Sequence, residues 1–107
     1  MNIEFKEPWI VVGEFASNLA RELEREVTEN HPLWNKKARA LAQRTDSDDV
    51  LFALEHEKST PRYAVVHLTW SGEPELDPRW PDTECYNSLE EWVRDRMMPD
   101  HAEFTDG

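Results

Sequence analysis

Three features of this sequence predict an α+β fold. Phe15, Leu19, Leu23 and Val27 recur every four residues near the start, the spacing of an amphipathic helix. Two short apolar runs rich in β-branched and aromatic residues, VLFALE from Val50 and YAVVHLTW from Tyr63, read as strands separated by turn chemistry. A second helical pattern, SLEEWVRDRMM from Ser88, comes near the end. Together they predict one domain over 1–107, a small antiparallel sheet of about three strands packed with an N-terminal and a C-terminal helix.

In chain order, Phe5, Trp9, Ile10 and Val11 are placed to pack across the start of the first helix. That helix lies within GEFASNLARELEREVTEN, with Glu14 suited to the dipole of its first turn and Asn30 and Pro32 stopping it. Its outer face, with Arg21, Glu22, Arg25, Glu26 and Glu29, is expected to be solvated. Residues 33–44 fit two readings. Leu33, Lys37 and Leu41 keep helical spacing, whereas Trp34, Ala38, Ala40 and Ala42 alternate with polar positions, Leu41 excepted. The hairpin chemistry that follows favours a strand. TDSDD is a turn, because Asp and Ser side chains bond their own backbone. EHEKSTPR is a second turn. Pro74, Pro78 and Pro81 make 73–87 a loop, or at most an edge strand. Ser88 and Glu91 form a capping box. Leu89, Trp92, Val93, Arg96 and Met97 share one face, Pro99 ends the helix, and a loose tail follows over about 100–107.

The strand at Tyr63 carries the chemistry of interest. Alternation puts Ala64, Val66, Leu68 and Trp70 on one face, expected to be core, with Trp70 buried. Tyr63, Val65, His67, Thr69 and Ser71 take the other, mixed face. Asp49, His67 and Thr69 are therefore candidates for a pocket. Candidate metal partners for His67 are Asp48, Asp49, His56 and Glu57, but HxxxH, HExxH and CxxC spacings are all missing, so no metal is expected. Asp46 and Asp48 begin a calcium-loop series that fails at Leu51, where glycine is required. With three glycines and no phosphate-loop or dinucleotide fingerprint, no cofactor is expected. Cys85, the one cysteine, sits among acids that oppose thiolate formation, so no catalytic residue is assigned.

Net charge is −11, and it is uneven: residues 1–44 hold seven acids and seven bases, residues 45–107 sixteen acids and five bases. Such a chain repels phosphate backbones and anionic lipid, which argues against nucleic-acid and membrane partners and for a basic protein. Met1–Gly13 lacks the pattern of a signal peptide and no run is long enough to span a bilayer, so a cytoplasmic setting is expected. The expected contact surface is Glu73, Glu75, Asp77, Asp82 and Glu84 around Trp80, the acids steering encounter and the indole anchoring it.

The strings D-D-V-L-F at Asp48–Phe52 and V-H-L-T-W at Val66–Trp70 resemble those of a group of small, poorly characterised bacterial proteins, over roughly residues 31–104. In size, acidity and aromatic content the chain is also similar in general type to immunity proteins of bacterial toxin systems. That resemblance implies a non-enzymatic acidic protein that neutralises a basic one, and it carries no catalytic residue. The alternative is a small enzyme or ligand-binding domain using the His67/Thr69 face. Homodimer formation is compatible with either.

Overall fold

The structure is a computed structural model that describes residues 4–34, 36–55, 62–75, 77 and 79–106. It is α+β, with five strands where about three were expected. β1 (Trp9–Val11), β2 (Ala38–Arg44), β3 (Asp49–Leu54), β4 (Tyr63–His67) and β5 (Asp82–Tyr86) form one antiparallel sheet in the order β1-β2-β3-β4-β5. The two additional strands are the edges. β1 is three residues long, too short to show alternation, and β5 lies at the end of the proline-rich segment. Between Thr45 and Asp49 the chain reverses, as the TDSDD chemistry predicts. The turn expected at 55–62 has residues 56–61 outside the described set.

Both faces of the sheet are covered. α1 (Ala16–Glu26), preceded by a 3-10 turn at Gly13–Phe15, lies on one face. There Leu19, Leu23 and Val27 pack with Ala40, Val50, Phe52, Leu54, Ala64, Val66 and Leu68. On the other face run α2 (Leu89–Trp92), a π-helical turn (Val93–Met97) and α3 (Met98–Asp106), whose Trp92 and Met97 pack with Trp9, Ala42, Leu51, Val65 and Tyr86. Trp92 is fully buried, with edge-to-face contacts to Trp9 at 5.2 Å and Phe5 at 5.9 Å. Among the described residues its Nε1–H has no partner, so the ring contributes through packing. The mixed face of β4, expected to be half-wet or under the proline-rich loop, is instead covered by this C-terminal helical rod at Val65. No described helix is long and apolar enough to cross a membrane.

Some local expectations are met and others corrected. Strand pairing wins at 38–44, and a register shift between Ala40 and Ala42 accounts for Leu41's break in the alternation. The bulge turns Ala40 toward α1 and Ala42 toward the rod. Phe15 falls in the 3-10 turn and is exposed, so the buried stripe begins at Leu19. Pro99 does not end the last helix. The Met98 N–H already bonds the Val93 carbonyl in π register, and Pro99 sits in the first turn of α3, where its missing N–H is tolerated. The segment expected as a loose tail is helical to Asp106. Ser88 caps α2 as the sequence predicts, its Oγ accepting from the Glu91 N–H at 3.1 Å while Glu91 Oε2 accepts from Asn87 N–H.

The largest correction concerns Trp70. β4 ends at His67, and Trp70 adopts φ +58° with its ring 49% exposed. Alternation stops with the strand, so the ring turns outward and Trp92 and Trp9 fill the role expected of it. Trp92→Ala should therefore cost about 3–5 kcal/mol, while Trp70→Gly should leave the melting temperature unchanged or raise it, because glycine accepts positive φ. Thermal unfolding of both variants checks this. Equal losses would return Trp70 to the core.

Candidate functional site

Two polar centres flank the sheet. The first joins α1 to the turn that follows β4. Glu22 and Glu26 sit four apart on α1, beside the apolar stripe, since each follows a buried leucine by three positions. Both were expected on the solvated face, and both are buried, Glu26 completely. The turn folds over them and explains why. Glu26 Oε1 accepts the Thr69 N–H and Oε2 the Trp70 N–H, each at 2.9 Å. Glu22 Oε2 accepts the Gly72 N–H at 3.1 Å, and the Glu26 carbonyl accepts the Glu75 N–H at 2.8 Å. The Thr69 hydroxyl donates to Glu75 Oε1 at 2.8 Å.

The two carboxyl groups titrate as a coupled pair, Glu26 held toward its protonated form and Glu22 toward its ionised form, the pattern of two acids sharing one proton. Burial, reinforced by the bond to Glu22, pushes Glu26 up to about 7. Glu22 is held below its ordinary value by its bond to Glu26, with the Gly72 N–H and Arg25, 3.6 Å away, adding to the effect.

The second centre lies on the rod side. The π turn aims Arg96 at the sheet. Its guanidinium bonds Asp49 at 2.5 Å and Asp100 at 2.7 Å, approaches Glu84 to 3.5 Å and stacks 5.6 Å over the Trp9 ring. Asp100 also takes the Trp9 Nε1–H at 3.0 Å and pairs with Arg44 at 3.2 Å. Burial pulls the Arg96 pKa down, and the bonds to Asp100 and Asp49 outweigh it and raise it. His67 lies across from Asp49 in register, with Nδ1 2.7 Å from Asp49 Oδ1 and its side chain half exposed. The Tyr86 hydroxyl donates to Glu84 at 2.8 Å. Burial and that anionic neighbour push the phenol well above its usual range.

The expected pocket is therefore divided. Asp49 and His67 meet, but Thr69 belongs to the Glu26 centre on the other side, because the strand ends between them. The three described grooves are lined by other residues. The expected contact surface divides too. Trp80, 44% exposed, leads directly into Asp82 and Glu84, which are exposed on edge strand β5. Asp77 is forked to Arg79 at 2.6 Å, which cancels its charge locally and holds its carboxyl down at about 2. Glu73 and Glu75 lie by the end of α1.

His31 escaped the sequence reading. It is buried, its Nδ1 accepts the Leu33 N–H at 3.0 Å, and its Nε2 faces the Pro81 carbonyl at 2.9 Å, an arrangement that makes it a neutral brace behind Trp80. Shielding by neighbours, rather than acids, pushes the Cys85 thiol up, with Lys36 opposing, which leaves it a poor nucleophile. Among the described residues no three His, Cys, Asp or Glu side chains converge as metal ligands. His56 and Glu57 lie outside the described residues.

The chain matches no protein-family model, no curated protein and no solved structure.

The buried pair sets a pH dependence of definite sign. A carboxyl raised to about 7 favours folding while protonated, so its contribution is full below its ordinary 4.5 and is lost as pH rises through about 7. Stability should fall from pH 5 to pH 8 by an amount on the order of 2 kcal/mol. In Glu26→Gln this slope should vanish, and about 1–3 kcal/mol should be lost at pH 5, because an amide nitrogen cannot accept the second backbone N–H. Urea unfolding across that range decides it. A wild-type curve that is flat or rises with pH contradicts the shared proton.

Proposed function

We propose that the protein is a cytoplasmic, non-enzymatic acidic binding protein whose partner is a basic protein, in the manner of a toxin-immunity protein. The observation that carries this reading is edge strand β5. Its outer edge has no sheet neighbour among the described residues, and it presents Asp82 and Glu84 beside a half-exposed Trp80. Charge on this strand repels a second copy of itself and attracts a basic chain. Arg79 and Arg94 are engaged by Asp77 and Asp95, and Arg96, 3.5 Å from Glu84, is shared with Asp49 and Asp100, so the sixteen acids against five bases of residues 45–107 leave an excess of negative charge at the surface. His31 fixes the Pro81 carbonyl, which holds the residue preceding it, Trp80, in place for contact.

A second reading rests on the Asp49–His67 pair. A half-exposed imidazole oriented by a carboxylate through one nitrogen can act as a general base through the other.

Co-purification from the native host, with bound proteins identified, tests both readings. A basic partner should be recovered at about 0.15 M salt and lost near 1 M, as the screening length shortens from about 8 Å to about 3 Å. Asp82→Lys with Glu84→Lys should slow association, Trp80→Ala should speed dissociation, and His67→Ala should change neither. Recovery of no basic partner, or association with one that is indifferent to salt or to the β5 substitutions, contradicts the proposal. Loss of association in His67→Ala alone favours the second reading.

A further inference from the structure

A groove of about 500 Å³ runs between α1 and the turn after β4, on the face of the sheet opposite Asp82 and Glu84. Leu19 floors it, Phe15 and Trp70 stand at its sides, and Arg21, Arg25 and Gln43 give it polar edges. Three properties separate it from an incidental crevice.

The first is the placement of two large aromatic rings in water. Phe15 is 57% exposed and Trp70 49%, in a chain of low apolar content. Neither ring contributes to the two buried clusters. The second is the backbone at Trp70. Trp70 adopts the left-handed conformation, which is strained for a bulky residue and which glycine or asparagine would take more readily. The fold holds Trp70 there all the same, through the Glu26 carboxyl on its N–H and on that of Thr69. A strained residue whose side chain adds nothing to the core is accounted for by what the side chain does outside it. The third is charge. Within a chain of net charge −11 the residues lining this groove include two arginines and no acid. Arg21 forms no ion pair among the described residues, and Arg25 reaches Glu22 only at 3.6 Å.

We propose that this groove is a peptide-binding site for an extended segment carrying a bulky apolar side chain next to a carboxylate, the apolar group seated between Phe15 and Trp70 and the carboxylate paired with Arg21 and Arg25. The groove is a surface cleft rather than an enclosed cavity, which suits a chain lying in it better than a sequestered small molecule. Offset or edge-to-face contact with the two rings supplies the anchor. The guanidinium forks select a carboxylate over a cation. The rest of the acidic surface repels phosphate polymers, so the carboxylate comes from a protein segment. The protein then has two contact surfaces of opposite preference, and this site does not depend on the reading given to β5.

Panning the full-length chain against a random seven-residue peptide library, displayed on phage, tests this. The peptides recovered should carry Asp or Glu adjacent to Phe, Trp, Leu or Met. A fluorescein-labelled copy of the selected peptide should bind Trp70→Gly and Arg21→Glu at least about tenfold more weakly than the parent chain. Both substituted positions are exposed, so neither variant should melt below the parent. A basic consensus, no consensus, or affinity unchanged in either variant overturns the proposal. So does displacement by Asp82→Lys with Glu84→Lys rather than by the groove variants.

Discussion

The capture of backbone N–H groups by two buried glutamates is the constraint on which much of this structure depends. Burying a carboxyl pair is costly unless its charge is reduced and its oxygens are satisfied. Here Glu26 is held toward its neutral form while Glu22 stays ionised, and the N–H groups of Thr69, Trp70 and Gly72 satisfy their oxygens. The same contacts stop β4 at His67 and swing the chain back over α1. They leave Leu68 as the last core residue of that run and turn Trp70 outward. Without them nothing holds a tryptophan at positive φ, and the groove beside Phe15 loses one wall. An apolar pair at 22 and 26 would extend the stripe of α1 but leave three N–H groups with no acceptor.

The opposite face follows different logic. Its core is aromatic at the centre, where Trp92 packs between Trp9 and Phe5, and ionic at the rim, where Arg96 collects Asp49 and Asp100. The π turn makes the two compatible. One extra residue in the helical turn lets Trp92, Met97 and Arg96 all point inward, and it leaves a position where Pro99 does no damage. Asp100 binds both Arg96 and the Trp9 indole, so the rim and the centre are held by a single carboxylate. His67 is attached to this rim through Asp49, which makes its orientation a consequence of the ion network.

The sequence exposed the regular elements and concealed what depends on contact. α1 and the start of the last helix announce themselves by period and capping, and β3 and β4 by unbroken β-branched and aromatic runs, because both faces of those strands are buried. The bulge at Leu41 was visible as a break in alternation, and the structure gives that break its meaning. β1 and β5 were hidden because a three-residue strand has no period and a proline-rich run suppresses strand propensity. Trp70 was misplaced because alternation was carried past the point where β4 ends, and the reason it ends lies on α1, more than forty residues earlier. Glu22 and Glu26 looked like two more charges on a charged helix. Their one sequence signal was position, each three residues past a core leucine and four from each other. Asp49 and His67 were legible as neighbours because adjacent strands put them in register, whereas Thr69 needed the strand to continue. Trp80 and its acids form one group in sequence, and the fold keeps only Asp82 and Glu84 together on β5, with Trp80 just before it.

The protonated carboxyl pair is the physical core of this account, and it can be observed without perturbing the protein. Carbon-13 NMR of the glutamate side-chain carboxyl carbons, followed from pH 3 to pH 9 in the intact chain, reports each titration separately. The account predicts that Glu26 changes shift with a midpoint near 7 and that Glu22 senses the same event while titrating mainly below its ordinary range. A Glu26 midpoint near 4.5, with no second inflection at Glu22, would mean that both carboxylates are ionised at neutral pH and that something other than a shared proton holds the 69–72 turn.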